Sequence, residues 1–215
     1  MSSLALLSAA YQAGESGPKI VKRLAFAFVI GSALLAAPSA AQHLTTPAYD
    51  FIDAVKKSDG DKALTVLSGH PEGLVNTRGP DGDTGLIIAI KRSDETWTGF
   101  LLNKGADPNL AGQGGDTPLI AAARVGFEQA MEWLVTLGAH VDEPNRMGET
   151  PLIIAVQQRE PQIVKFLLQH GADPDKTDHA AGYSARDYAT RDTRARDILK
   201  LIDDARPKAG ATTAK

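Results

Sequence analysis

The sequence predicts an all-α fold, a solenoid of helix-turn-helix units joined by short hairpin loops, and three observations predict it. The stretch GGDTPLIAAARVG at 114–126 returns as MGETPLIIAVQQR at 147–159, with Thr117 answered by Thr150 and Gly115 by Gly148 in step. Two further copies extend the series. GDTGLIIAI carries Thr84, which precedes Thr117 by the same interval that separates Thr117 from Thr150; a decayed GYSARDYAT carries Ser184, one position later than that interval would put it. The rest of the period agrees as well. Phe100-Leu101-Leu102, Trp133-Leu134-Val135 and Phe166-Leu167-Leu168 share one column; Gly105-Ala106-Asp107-Pro108, Gly138-Ala139-His140-Val141 and Gly171-Ala172-Asp173-Pro174 share another. Self-similarity at a fixed period of roughly 20–50 residues is the mark of a repeat architecture.

Taken in chain order, residues 1–41 read as a segment apart from the fold. Lys22 and Arg23 precede an uncharged, mostly apolar run from Leu24 to Ala37, and small residues follow at Ser39 and Ala41. Basic, then apolar, then small is the pattern of a secretory signal peptide. A membrane-spanning helix needs about 20 apolar residues, and Pro38 closes this run early. The stretch from Met1 to Ile20 has no clear character, and a translation start at Val21 would give a compact signal. Residues 42–47 read as a linker, and 48–81 as an N-terminal capping unit whose Phe51, Ala54, Val55, Leu64, Val66 and Leu67 suit two short helices, in a register that slips by one or two positions.

The three central units, 82–114, 115–147 and 148–181, carry the same local chemistry. Thr84, Thr117 and Thr150, with Ser184 in the last unit, are hydroxyl N-caps able to accept an otherwise orphaned backbone N–H. Pro118 and Pro151 follow at the first helical position, where a missing N–H is harmless. Gly85 breaks that rule, so its helix is expected to start less firmly. Ala89, Ala122, Ala155 and Ala189 are small where helices must approach, and Gly105, Gly138 and Gly171 suit the left-handed turn that ends a helix. The C-terminal cap, 182–205, sets Arg186, Asp187, Arg191, Asp192, Arg194 and Arg196 among Ile198, Leu199 and Ile202, and 206–215 reads as a disordered tail.

This pattern resembles the ankyrin repeat: G-x-T-P-L, a small-residue helix, a second helix ending in leucines, then G-A-D-x-N. The resemblance runs from about Asp50 to Ala205. The family's usual histidine after T-P-L is replaced by Ile87, Ile120 and Ile153, so apolar packing is expected where the family has a hydrogen-bond network. The resemblance implies binding of another protein through a concave face and the hairpin tips.

Composition narrows the function further. With 43% hydrophobic but only 6% aromatic residues, the core must be aliphatic, and the lack of cysteine excludes disulfides, thiolate zinc sites and cysteine nucleophiles. Removal of residues 1–41 takes Lys19, Lys22, Arg23 and Glu15 with it and moves the formal net charge from −3 to −5. A mildly acidic body without a basic stripe argues against nucleic acid. The histidines, His43, His70, His140, His170 and His179, do not fall at the spacing of a zinc pair. Asp173 to Asp178 alternates acids as a calcium loop does, yet lacks glycine at the sixth position and glutamate at the twelfth, which is Ser184. No lysine follows the glycines of 112–115, and no G-x-S-x-G elbow exists. No catalytic residue, metal or cofactor is expected.

One arrangement stands out as a candidate partner-binding surface. Asp83, Asp116 and Glu149 precede the capping threonines, with Tyr183 in the equivalent place of the last unit; Lys91, Arg92, Arg124 and Arg159 stand at the far ends of the same helices. Acids at N-termini and bases at C-termini also favour the helix dipole, by roughly 0.3–1 kcal/mol each, so a structural role and a role toward a basic patch on a partner are both open. At the tips, Pro80-Asp81, Gln113-Gly114, Arg146-Met147 and His179-Ala180 share no chemistry, as a recognition surface on a regular frame requires, and Arg146 with Met147 is the expected anchor. The expected protein is a non-catalytic, monomeric module in the periplasm or secreted, free of the membrane once the signal is cleaved. A periplasmic chaperone or protective factor would instead need an exposed apolar groove, and an intracellular adaptor would need residues 21–41 not to be a signal. Cleavage is expected before Gln42 or one position earlier. Intact-mass measurement of the exported chain checks this, and a chain that keeps residues 24–41 in the inner-membrane fraction refutes it.

Overall fold

The computed structural model describes residues 46–70 and 73–205. The signal segment 1–41, the Val21 start, the linker as far as Thr45 and the tail 206–215 lie outside the described residues. The chain divides into residues 1–43 and 44–215, and the second unit holds the fold described here.

Ten α-helices run in five pairs among the described residues: α1 (Pro47–Lys57) with α2 (Gly60–Gly69), α3 (Gly85–Lys91) with α4 (Glu95–Asn103), α5 (Pro118–Val125) with α6 (Glu128–Thr136), α7 (Pro151–Gln158) with α8 (Pro161–Gln169), and α9 (Ala185–Arg191) with α10 (Arg196–Asp204). Each first helix packs on its own partner and on the first helix of the next unit, so α1, α3, α5, α7 and α9 form a continuous inner layer. The packing follows from composition. Leu119, Ile120, Ala121, Ala122 and Ala123 are all buried, which leaves α5 with apolar neighbours on nearly every side. Ala89, Ala122, Ala155 and Ala189 are buried as their small size requires, and Ile87, Ile120 and Ile153 are completely enclosed, so that column is apolar as expected.

Helix starts and stops are set locally. The hydroxyls of Thr84, Thr117 and Thr150 accept the N–H groups of Ile87, Ile120 and Ile153 at 3.3, 3.2 and 3.3 Å. Ser184 does the same for Asp187, whose carboxylate accepts the Ser184 N–H in return, completing a capping box. Gly105, Gly138 and Gly171 adopt φ of 83°, 89° and 87°. The following alanine N–H groups reach back to Leu101, Leu134 and Leu167 at 3.0, 2.9 and 3.0 Å, the Schellman closure that satisfies the orphan carbonyls. Despite the expected weak start, α3 begins at Gly85 with its cap bond intact. A Cβ on Gly85 would already lie 3.4 Å from Phe51 and Val55, so a proline ring here would press on the first unit.

The N-terminal unit departs most from the pattern. Its first helix starts at Pro47, capped by Thr46, about a turn earlier than the others. Ser58 and Ser93 share the left-handed region and the Asp59 and Asp94 N–H groups reach back to Ala54 and Ala89, so the slip is two positions, within the range the sequence suggested. Phe51, Ala54 and Val55 are buried and Val66 and Leu67 half-buried, but Leu64 is 44% exposed; Ile52 and Ala63 fill the core instead. Thr98 on α4 carries the one buried side-chain polar atom without a partner among the described residues. It stands in the column of Met131 and Val164, is fully buried, and its hydroxyl has no hydrogen-bond partner.

Leu134→Ala should cost roughly 2–5 kcal/mol, the range for a fully buried leucine. Thr98→Val, which removes an unsatisfied hydroxyl at constant volume, should stabilise by about 1 kcal/mol. Urea unfolding of the two variants tests both signs.

Candidate protein-binding surface

The loops between units are closed by backbone bonds that recur in step. The N–H groups of Gly79, Gly112, Asn145 and Asp178 donate to the carbonyls of Asp83, Asp116, Glu149 and Tyr183 at 2.8, 2.9, 3.0 and 3.0 Å. Each closure pushes out a tip, and successive tips touch: the Arg146 N–H donates to Gly114 at 3.1 Å and the His179 N–H to Met147 at 2.7 Å. This contact explains the repeated glycines. Gly115 and Gly148 adopt φ of 82° and 80°, and a Cβ on them would fall 2.9 Å from the Arg146 nitrogen and 2.7 Å from that of His179. The tip of the following unit occupies the space.

The acidic column is engaged within the chain. Asp83 takes the Lys91 ammonium at 2.6 Å and, with its other oxygen, the Gln113 N–H of the next tip at 3.0 Å. Asp116 holds Arg124 at 3.1 Å and the Asn145 amide at 2.9 Å; Glu149 accepts from the same amide at 2.8 Å and stands 3.7 Å from Arg124. The three carboxylate side chains are only 9, 14 and 15% exposed. In the last unit the pairing survives in another form, with the Arg191 guanidinium 4.0 Å from the Tyr183 ring centre. The pairs therefore share one spacing along the chain, Asp83 with Lys91, Asp116 with Arg124 and Tyr183 with Arg191; Gln157 breaks the series after Glu149.

Arg92 and Arg159 do not join that column. Arg92 turns toward the preceding unit and donates to the Val55 and Lys56 carbonyls and to the Ser58 hydroxyl, at 3.1, 3.2 and 2.7 Å. Arg159 ends α7 in the left-handed region at φ 59° and reaches forward to Asp192 at 2.6 Å. The Asp192 carboxyl is pulled down to about 2, first by the Arg194 N–H and then by Arg159, against the opposing cost of burial.

The tips differ in freedom. Asp81 is bound by Lys56 at 2.7 Å, a contact that lowers the Asp81 carboxyl and raises the Lys56 ammonium. Gln113, Arg146 and Met147 are exposed, Met147 by 54%, and the Arg146 guanidinium has no ion-pair partner among the described residues. Sequence reading missed Asn145, which joins Asp116 to Glu149, and the reason for Gly112, where a Cβ would lie 2.5 Å from the Asp83 carboxylate. It also missed Asp178, which accepts the Ala181 and Gly182 N–H groups and the Tyr188 hydroxyl; burial works against its charge, and these bonds prevail and lower its carboxyl.

The family model for ankyrin repeats, in three copies, matches residues 51–145 and 86–178, together more than half of the chain. The chain belongs to the ankyrin-repeat family. No curated protein matches it. Ankyrin repeats generally mediate protein–protein interaction. The matched stretch of this ankyrin-repeat protein ends at 178, ahead of the charged last unit, which nevertheless folds as a helix pair. None of its described helices is long and apolar enough to cross a membrane.

Arg159→Ala should raise the Asp192 pKa toward the ordinary carboxylate value while leaving it depressed by the Arg194 N–H. A lowered pKa means that the interaction contributes stability above the ordinary carboxylate range and loses it as pH falls through about 2, so the variant should differ from the parent mainly above that window. A side-chain carbon NMR titration measures the shift directly.

Proposed function

We propose that this chain is a non-catalytic protein-binding module that recognises its partner through the hairpin tips, with the first-helix cations beside them as a rim. The observation that carries this reading is the unequal engagement of the candidate residues. Asp83, Asp116 and Glu149 are tied to Lys91, Arg124, Asn145 and the Gln113 backbone, so they hold tips and cations in place. Arg146 and Met147 stand out on a frame that those bonds fix, free of side-chain ties of their own. A guanidinium beside a flexible apolar thioether suits an anchor that inserts and pairs with an acidic or carbonyl-rich surface. Within this reading, a basic patch on the partner meets the acidic column only at its edges.

The site of action belongs to the same proposal. The basic, apolar and small pattern of residues 22–41 supports export to the periplasm or beyond, where the module would act as a soluble monomer. A chaperone role has less support. Grooves along the second helices measure about 330, 240 and 210 Å³, and one of about 480 Å³ between the last two units is walled by Asp173, Asp175 and Arg186; each has room for a few side chains rather than for an unfolded chain.

Affinity capture from a periplasmic extract, with the parent protein and the double variant Arg146→Ala/Met147→Ala as baits, tests the proposal. The variant should lose the captured partner, and with the purified partner the loss should appear as faster dissociation, as it does for buried anchors. Lys91→Gln and Arg124→Gln, which remove the charge but keep a donor for Asp83 and Asp116, should instead slow association and change its salt dependence. Equal capture by the parent and the tip variant refutes the assignment to the tips.

A further inference from the structure

Along the second helices the stack departs from its own pattern twice in one spot. Position 99 is a glycine in the interior of α4, where the same column holds Glu132 in α6 and Lys165 in α8. Glycine is the poorest residue for a helix interior after proline, and local geometry does not call for it. Gly99 has no positive φ, and a Cβ there would lie 3.6 Å from the Trp133 ring, an ordinary contact. Position 137 is a leucine, 53% exposed, where the same column holds Lys104 and His170. The two departures converge. Gly99 and Leu137 line one open groove of about 330 Å³ between α4 and α6, together with Leu102, Asn103, Trp133 and Thr136. A long side chain at 99 would cover the Trp133 ring, and a lysine at 137 would put a charge on the opposite wall.

Shape and charge name the occupant. The lining residues recur three and four apart on each helix, so the groove runs along both helices and accepts a rod with apolar residues at the same spacing. Its rim is acidic. Glu95 lies one turn before Gly99, Glu128 one turn before Glu132, and Glu132 adjoins Trp133. All three are exposed, and none pairs with a cation among the described residues; Glu132 accepts only the Gln129 amide, at 3.1 Å. They contrast with the acids before the first helices, which are neutralised in place. We propose that this groove is a second docking site, for a basic amphipathic helix of a partner protein: its apolar face enters between α4 and α6, and its lysines or arginines meet Glu95, Glu128 and Glu132.

A fluorescent synthetic helix of leucine and lysine at helical spacing is the probe, and the same helix with glutamate for lysine is the control. The purified protein should bind the basic helix and not the acidic one. Gly99→Gln and Leu137→Lys should each weaken binding by roughly tenfold or more, whereas Arg146→Ala/Met147→Ala should bind it like the parent. Gly99→Gln should also melt higher, because it restores helix propensity, so its loss of binding cannot come from unfolding; should Leu137→Lys fail to fold, Gly99→Gln alone decides. Equal binding by the parent and both groove variants, equal binding of the acidic helix, or no binding of either helix overturns the proposal. So does a dimer of the parent in sedimentation that Gly99→Gln dissolves, which would give the groove to a second copy of this chain.

Discussion

Loop amides of one unit are satisfied by side chains of the unit before. Asn76, Asn109 and Asp142, which follow one another at the common period, accept the N–H groups of Asp107, His140 and Asp173 at 2.8, 2.8 and 3.0 Å. Asp83 accepts the Gln113 N–H in the same sense. The first three bonds are exposed, so water can replace the acceptor and they chiefly fix the loop's geometry, whereas the part-buried Gln113 N–H would lose more without Asp83. The loop of one unit keeps its conformation only when its neighbour is folded. This dependence makes the stack cooperative in one dimension. The fixed period follows from it, because an acceptor meets its amide only if the intervening helices have constant length.

The same constraint explains how the stack ends. Asp175 continues the column of Asn109 and Asp142, and among the described residues its side chain meets a guanidinium where those two meet a loop amide. The Arg186 guanidinium takes that place at 2.8 Å and reaches Asp203 on α10 as well, its own proton held more firmly by both carboxylates. Arg186 thus ties the loop before the last unit to its second helix by side chains alone. At the other end Arg92 closes the carbonyls of α1, and Lys56 holds the first tip through Asp81.

What the sequence made legible was column membership. The threonine caps, the helix-ending glycines, the small alanines and the isoleucine column each serve one local physical need, and an alignment at the common period brings those needs into line. It does not say which neighbour a column member meets. Asp83 and Lys91 stand at opposite ends of one short helix and meet across it, a pairing that helical periodicity alone does not suggest. Asn145 was hidden for a related reason: its column reads Gly79, Gly112, Asn145, Asp178, and the residue type changes with the neighbour it faces. At Gly112 the Asp83 carboxylate leaves no room for a Cβ, whereas at Asn145 the side chain supplies a donor to the two acids on either side. Leu64 was misplaced because the capping unit does not keep the common register, so the columns that ordered the other leucines did not reach it.

Burial is divided unequally between the two helices of a unit, and this decides where the chain is free to vary. In α5 six of eight residues are buried, and in α7 likewise six of eight; in α4 only Trp97, Thr98 and Leu101 are. The inner layer thus carries most of the apolar burial, which is the dominant favourable contribution to folding. A change on it is felt by the units on both sides. The outer helices need one buried face only, and a weak residue such as Gly99 on the opposite side is tolerated because α4 is held by Leu101 and its Schellman closure. The tips are free for a different reason: their backbone is fixed by bonds to the next tip, so the side chains of Arg146 and Met147 contribute nothing to closure. Binding chemistry can therefore accumulate on the tips and the outer face without weakening the stack, whereas the first-helix column, tied into Asp83, Asp116 and Glu149, can change only together with the frame it holds.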